Sequence, residues 1–484
     1  MNSTTATPHA VVIGGSMAGL LAAAVLAAHA TVTVIDADEL PDRPAPRRGL
    51  PQGRHVHVMW SAGARAVERI LPGVTDAWTA AGALRRRLPT DLVTMTAQGW
   101  IPRFGEHQFN ISCSRDLLDW VVRTRVAALD GVTLLQRSTV RALEGSRRAV
   151  TGVRVDTPDE KDVRLPADVV VDASGRGSRA LRWLGDLGVR GVRQAEVDSG
   201  LVYATRLYQA PPGAHETGFP IVNVQSDPRV PVPGRTATIV PIEDGIWQAT
   251  LSGTRGGQPT ADPDAFVPFA KSLRDPVVGD ILERQTPLAR TARDGGRTAA
   301  EVAVTQGNAN RRSYFEKAEL PAGFFAVGDS VATYNPLYGQ GMTVAAQGLL
   351  AVREILRRRP VTDPEFTRQA QRAVAGPATV AWELATSQDI LYPGATGMRP
   401  RPGSGLLNWY VDRLMTGATH QEELTAAFLR VITMTESPAD WIRPRTLARV
   451  LRPGGTAAHA SAPLTAAERA VAGLAANESA GSAR

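Results

Sequence analysis

The chain has 484 residues, 43% of them apolar, which is too long for one simple core and sets two domains as the expectation. Its formal charge of +7 and isoelectric point near 9.9 would suit a nucleic-acid binder. Yet only Lys161, Lys271 and Lys317 among the 54 basic residues are lysines, and the arginines are scattered, so no nucleic-acid partner is expected. Cys113 stands alone and the histidines are dispersed, which excludes an intrachain disulfide and leaves no metal site; a reduced, cytoplasmic setting fits.

The first nine residues are polar and expected to be loose. Residues 10–13 then predict a strand. Gly14, Gly15 and Gly19 mark a tight turn into a small-residue helix over 17–30, and residues 31–35 predict a second strand ending at Asp36. Strand, turn, helix and acid-terminated strand form the pattern of a dinucleotide-binding βαβ unit. Ser16 stands where a second glycine is usual; it is small enough for close phosphate approach, and its hydroxyl can bond a phosphate oxygen. Met17 and Ala18 open the helix, whose free N–H groups favour an anion. Asp36 lies where an acid bonds the ribose of an adenosine. Residues 10–35 are apolar, but the glycines, Ser16 and His29 interrupt them and no basic segment precedes them. Neither a secretion signal nor a membrane span is expected.

Residues 37–58 read as a long loop in which prolines forbid a regular element. Arg47, Arg48 and Arg54 can each reach a cofactor phosphate from it, with His55 and His57 close by. A helix follows over 59–71, then strands over 92–100 and 108–114. The clusters Arg85–Arg87 and Arg357–Arg359 read as solvated helix ends. Ser114 is a natural N-cap for the periodic helix that Arg115 begins. Strand 132–135, the short run holding Val140, and a β-ribbon over 149–156 and 161–165 come next. Residues 167–174 form an apolar strand ending in Asp172, followed by glycines and a helix through 187.

Residues 195–300 turn β-rich, with a hairpin of 237–243 and 246–253 about Asp244-Gly245 and one helix at 265–273. The chain then returns to strand 324–327, the pair Gly328-Asp329, a loop over 330–341 and a helix over 342–357. Helical stretches at 364–390 and 406–415 are split by the Pro/Gly-rich segment 393–405, and no internal repeat occurs. The expected class is α/β: a Rossmann-like cofactor domain in three parts (1–90, 115–194, 301–360), substrate-domain strands at 91–114, an inserted β-sheet substrate domain at 195–300, a C-terminal helical region at 361–453 and a flexible tail at 454–484.

Three separated motifs point at one ligand. The first is Gly14 to Asp36; the second is DASGRGSR, 172–179; the third is FFAVGDSVATYNPLYGQGM, 324–342. In the third, Asp329 can accept two hydroxyl bonds from a polyol, the Pro336-to-Gly341 loop bends over the cofactor, and Gly339 and Gly341 permit close backbone approach. The helix beginning at Met342 would favour negative charge at its N-terminus.

On these motifs the chain resembles the flavoprotein monooxygenases of the para-hydroxybenzoate-hydroxylase fold, over most of residues 10–360. The resemblance implies FAD, with Gly14, Gly15, Ser16, Met17, Ala18, Gly19 and Asp36 on its ADP half. It further implies Gly328, Asp329, Pro336, Gly339, Gly341 and Met342 on ribityl, pyrophosphate and ring. Arg115, Arg48 or Arg54, and Val140 complete the implied set, and Asp172-Ala173 stands where the family has an Asp-Gly pair. The runs PQGRHVHVMWSAGAR, VDSGLVYATRLYQAPPGA, GNANRRSYF and NPLYGQGM look like the polyether-pathway epoxidases of actinomycetes, the monensin and lasalocid type, to about residue 450. This implies epoxidation of a linear polyene polyketide by a flavin C4a-hydroperoxide formed with O2 and NAD(P)H, supplied directly or through a separate flavin reductase. An aromatic polyketide hydroxylase and a flavin-dependent reductase are the alternatives.

An alkene is already a π-nucleophile, so epoxidation needs no side-chain base, whereas phenol hydroxylation is helped by one. No catalytic side chain stands out. His55, His57 and His107 read as structural, and Tyr334 and Tyr338 as pocket walls.

Overall fold

In the computed structural model, which describes residues 7–289, 301–307, 309–398, 404–452, 455 and 458–475, the apolar run before Gly14 becomes the strand His9–Ile13 at the centre of a five-stranded sheet. The order is Phe324–Ala326, Val169–Asp172, His9–Ile13, Thr31–Ile35, Val132–Leu135, with every pairing parallel. Parallel strands covered on both faces are apolar throughout, and Val169, Val170, Val171, Phe324 and Phe325 are all buried. Helices Met17–Leu26, Arg115–Ala127 and Gly341–Leu356 pack together on the sheet, and an antiparallel ribbon of Thr139–Gly145, Val150–Asp156 and Val163–Pro166 packs against Val169–Asp172. The class is α/β and Rossmann-like, and all three motifs end on the same edge of this sheet.

The second body is a seven-stranded sheet in the order Ala303–Thr305, Val202–Gln209, Ile246–Gly253, Arg235–Ile242, Ile221–Val224, Leu92–Thr96, Gly99–Trp100. Its core holds Val93, Trp100, Trp247 and Phe266, with Phe219 stacked on Trp247 at 4.3 Å between ring centres. Strands from either side of the 195–300 insert therefore complete this sheet. The 26-residue helix Pro364–Asp389 packs on Gly341–Leu356 and leads to the C-terminal helices Ser404–Ala418, Glu422–Ile432 and Pro444–Val450.

The structure departs from the sequence reading in several places. Residues 92–100 are two strands that turn at Ala97 and Gln98, not one. The 37–58 loop contains a 3-10 turn, Pro51–Arg54, with proline at its first position, where a missing N–H costs nothing. The following helix starts at Ser61, after the strand Val58–Trp60. Arg85–Arg87 belong to the strand Leu84–Leu88, paired with Gln108–Ser112, so they are not a helix end. There Arg85 lies 4.4 Å from the Phe109 ring centre and pairs with Glu106, an arrangement that alternation on a strand makes possible. The expected flexible tail contains a helix, Ala466–Val471, closed by a capping box between Thr465 and Glu468. Glu468 is buried and paired with Arg103 at 2.5 Å, and Ala462, Leu464 and Ala472 join the substrate-sheet core. The expectations for residues 1–6, 290–300, 399–403 and 476–484 lie outside the described residues.

Candidate active site

The turn at Gly14 is enforced by space and dihedral together. Its φ is +105°, and a Cβ there would lie 2.5 Å from the Ala173 carbonyl oxygen. At Gly19 a Cβ would come within 1.8 Å of the Gly14 carbonyl oxygen, so the helix can approach the strand only without a side chain. Gly15 N–H donates to Asp36 Oδ2 at 2.7 Å, and Asp38 N–H to Asp36 Oδ1 at 2.8 Å. The carboxylate thus ties the end of its strand to the phosphate-type turn.

Ser16 caps the helix by position, but its hydroxyl makes no bond to the helix backbone. It donates instead to Asp119 Oδ2 at 3.1 Å and accepts from Arg115 Nη2 at 2.9 Å. Arg115, at the first position of its helix, also pairs with Asp119 at 2.9 Å, both side chains being buried. Asp119 is the residue that sequence reading missed here; the i,i+4 spacing from Arg115 was the available signal. Met17 is buried in the core, while Ala18 lies against Gly328, where a Cβ would sit 2.7 Å from Ala18 Cβ.

Of the three loop arginines, Arg47 is the one turned inward. It bonds Asp36 at 3.0 Å and Asp38 at 3.4 Å, with only 6% of its side chain exposed. Burial works against its charge, but Asp36, Asp119 and Asp38 more than offset it, so its pKa rises. Arg48, named from sequence, is exposed, and Arg54 turns to Glu301 at 3.7 Å beside the substrate sheet. The chain before the 3-10 turn Pro51–Arg54 thus brings Arg47, and neither Arg48 nor Arg54, onto Asp36.

Asp172 also departs from expectation. It is fully buried, accepting from Ser174 N–H at 3.0 Å and from the Ser174 and Ser178 hydroxyls at 2.5 Å. Burial pushes its carboxyl up, and the serines pull it back. These bonds brace the turn beneath the cleft. Val140 is buried, paired with Val155. Its segment borders the Asp36 end only by backbone, through Ser138 N–H to Asp36 O at 2.9 Å.

Asp329 differs from every other acid in the cleft. It is exposed, and it makes no hydrogen bond or ion pair among the described residues. Desolvation in the cleft nonetheless raises its pKa, opposed by Arg115 and Arg176. Gly341, which opens the 16-residue helix, lies so close that a Cβ would be 3.7 Å from Asp329 Oδ1, and Met342 follows partly buried. His57 faces the same cluster. Burial, then Arg115, lowers its pKa to about 3. Its Nδ1–H donates to the His55 carbonyl at 2.9 Å, which leaves Nε2 an acceptor. His55 sits between the hydroxyls of Thr205 and Thr305, each at 2.7 Å, and His107 lies at the rim beside Glu422.

The loop after Asp329 is the partition between this cleft and a cavity of 1720 Å³. Pro336 opens a single 3-10 turn, Pro336–Tyr338, that closes at Gly339. Pro336, Leu337, Tyr338 and Gly339 all line the cavity, with Val58, Trp60 and Val240 among the apolar walls opposite. Trp60 Nε1 donates to the Tyr338 carbonyl at 2.9 Å. Tyr334 does not line it; its hydroxyl donates to the Ala378 carbonyl at 3.3 Å.

A buried polar network that the sequence reading missed holds the loop. Asp389, at the end of the long helix, accepts from Asn310 Nδ2 at 2.7 Å, Asn335 Nδ2 at 3.0 Å and the Tyr338 hydroxyl at 3.0 Å. Asn335 Oδ1 accepts from the Tyr203 hydroxyl at 2.7 Å and from Leu337 N–H at 2.9 Å. Burial pushes the Asp389 carboxyl up and keeps the Tyr203 and Tyr338 phenols far from ionising. Among the described residues no acidic, histidine or cysteine cluster could hold a metal ion, and no helix is long and apolar enough to cross a membrane.

No family model matches the chain. It is 30% identical over 466 residues, covering 92% of this chain and 94% of the other, to Protein Rv3254 of Mycobacterium tuberculosis strain ATCC 25618 / H37Rv. Its fold is similar to that of the flavin-dependent brominase Bmp2, with a TM-score of 0.61 at 14% identity over 88% of this chain and 93% of that one. It is also similar to p-nitrophenol 4-monooxygenase PnpA from Pseudomonas putida DLL-E4, with a TM-score of 0.56 at 14% identity over 89% and 97%. These likenesses show the fold of flavin-dependent monooxygenases and halogenases.

Proposed function

The chain belongs to the family of Protein Rv3254 of Mycobacterium tuberculosis. We propose that it is an FAD-dependent monooxygenase, an epoxidase that adds one oxygen atom of O2 to alkenes of a lipophilic linear polyene polyketide, as in polyether antibiotic biosynthesis. The cavity carries this reading. At 1720 Å³ it exceeds the roughly 300–1,000 Å³ of ordinary small-molecule sites, and its apolar walls run up to the loop after Asp329.

FAD suits the cleft because Asp329 is a carboxylate without a partner, and because the turn at Gly14 and Gly19 is a space that a Cβ would fill. When bound, FAD takes electrons from a nicotinamide, directly or through a separate flavin reductase, and activates O2. Ser16, Met17 and Ala18 would present helix N–H groups to its pyrophosphate, with Arg47 and Arg115 as nearby cations, while the Gly15 N–H is already taken by Asp36. Asp36 would accept from the adenosine ribose and Asp329 from the ribityl hydroxyls. The N-terminus of Gly341–Leu356 would favour negative charge on the cofactor beside it. The Asn335-anchored loop keeps water out and orients the alkene.

The phenols nearest the loop, Tyr203 and Tyr338, stay protonated because they are buried, so neither supplies the base that a phenol substrate would want. The test is to incubate protein, FAD, reductant and O2 with a polyene polyketide and look for mass gains of one oxygen per alkene. Reoxidation without oxygenated product across a polyene panel, or strong stimulation of NADPH consumption by simple phenols, would overturn the proposal.

A further inference from the structure

Large apolar side chains at a protein surface are usually scattered singly. Here, among the described residues, all the exposed ones except Val230 and Val232 fall between Leu391 and Leu451. Leu406 is 74% exposed and Ile442 62%, with Leu391, Met398, Leu407, Trp409, Leu447 and Leu451 alongside.

These residues are brought together by the fold. Arg413 lies 5.6 Å from the Trp409 ring centre and donates to the carbonyls of Val450 at 3.1 Å and Arg452 at 2.9 Å, which fastens Ser404–Ala418 to the end of Pro444–Val450. The Tyr410 hydroxyl donates to the Trp441 carbonyl, which brings Ile442 to the same helix. Leu391, Met398, Leu407 and Ile442 are at once exposed and part of the cavity lining. They form its mouth, and Leu406, Trp409, Leu447 and Leu451 continue that apolar surface outward.

On the segment beside this rim some arginines are matched by acids and some are not. Arg443 is matched by Glu436 and Asp440, and Arg449 by Glu423. Arg445 and Arg452, flanking Leu447 and Leu451, are exposed and make no ion pair among the described residues. Apolar side chains interleaved with unpaired arginines are what an anionic bilayer surface attracts: the side chains sink to the acyl boundary and the guanidiniums meet headgroup phosphates.

We propose that the cavity mouth docks on the surface of an anionic lipid bilayer, with Leu406, Leu407, Trp409, Ile442 and Leu451 at the acyl boundary and Arg445 and Arg452 on the headgroups. Docking does not require a spanning helix. That the mouth then draws a lipophilic substrate from the bilayer rests on the proposed function; the docking itself does not. A lipid surface accounts for the apolar rim, the adjacent cations and the opening of an apolar cavity at the same place.

The test is cosedimentation of the full-length, FAD-loaded protein with vesicles of equimolar phosphatidylglycerol and phosphatidylcholine, and with phosphatidylcholine alone. The expected result is strong binding to the first and weak binding to the second. Leu406→Ser/Leu407→Ser/Trp409→Ser should weaken binding at least about tenfold while flavin content stays unchanged. Arg445→Glu/Arg452→Glu, which leaves the apolar rim intact, should remove the preference for phosphatidylglycerol. No binding by the wild type, undiminished binding by both variants, or a lipid-free dimer that the triple substitution dissociates would overturn docking. Because the readout is lipid binding, loss of this proposal leaves the oxygenation assay untouched, and the reverse holds.

Discussion

Replacing Asp389 by alanine probes how the loop between cleft and cavity is held. The carboxylate is 1% exposed and accepts from Asn310, Asn335 and the Tyr338 hydroxyl. A buried donor left without an acceptor costs about 1–3 kcal/mol. Tyr338 lines the cavity and can turn to water there, so its loss is small. Asn335 is buried and has no such outlet, and Asn310 Nδ2 keeps only a long bond to the Val197 carbonyl at 3.4 Å, which sets the gross cost at about 4 kcal/mol. Relief of the buried charge returns part of this, leaving a net destabilisation of about 3 kcal/mol. The sign of the pH dependence follows from burial, which raises the Asp389 pKa. A raised acid contributes stability that is fully present below its unfolded pKa of about 3.9 and lost as pH rises through its folded value. The deficit of the variant should therefore be larger at mildly acidic pH than at pH 8. Urea unfolding of wild type and Asp389→Ala at both pH values measures this, and hydrogen exchange at Leu337 N–H reports the loop directly. A variant within about 0.5 kcal/mol of wild type, with unchanged exchange at Leu337, would refute the argument.

Asp329→Ala should purify without FAD while keeping the wild-type circular dichroism, because a cleft carboxylate that has no partner among the described residues is gone; near-native flavin content would sink its assigned role. Arg47→Ala should weaken FAD binding roughly tenfold, whereas Arg54→Ala should leave it unchanged. Equal losses by equilibrium dialysis would mean that the inward turn of Arg47 is irrelevant to the ligand. His57 should stay neutral from pH 5 to 9, since burial and Arg115 hold its pKa at about 3. Its lowered pKa means that stability is lost as pH falls from the unfolded value of about 6.5 toward 3. An imidazole titration above pH 5 by NMR would contradict this.

Local chemistry was readable before the fold. The turn at Gly14 and Gly19, the acid at Asp36, the N-cap at Ser114 and the strand leading to Gly328-Asp329 are each set by a few consecutive residues, whose sterics do not depend on the rest of the chain. Where several residues of one type compete, sequence left the choice open. Arg47, Arg48 and Arg54 look equivalent as letters, and only the turn at Pro51–Arg54 decides which guanidinium meets Asp36. Asp172 carried the right signal for a cleft edge, but a strand-end acid can point inward or outward, and three serines hold it inward.

By itself, then, the sequence determined a βαβ unit with a tight glycine turn, because close backbone approach demands glycine wherever it occurs. It also determined that later segments return to the same sheet, because buried parallel strands must be apolar throughout. The tertiary structure alone decided what encloses the loop after Asp329. Asn310, Asn335 and Asp389 come from a strand, a loop and a helix end, and no local rule pairs them. The same holds for the helix at Ala466–Val471, which reads as tail yet is fastened by Arg103 more than three hundred residues earlier in the chain. Buried hydrogen bonds and ion pairs of this kind are chosen by whatever the folded chain brings within reach, and desolvation makes them strong only once it has done so.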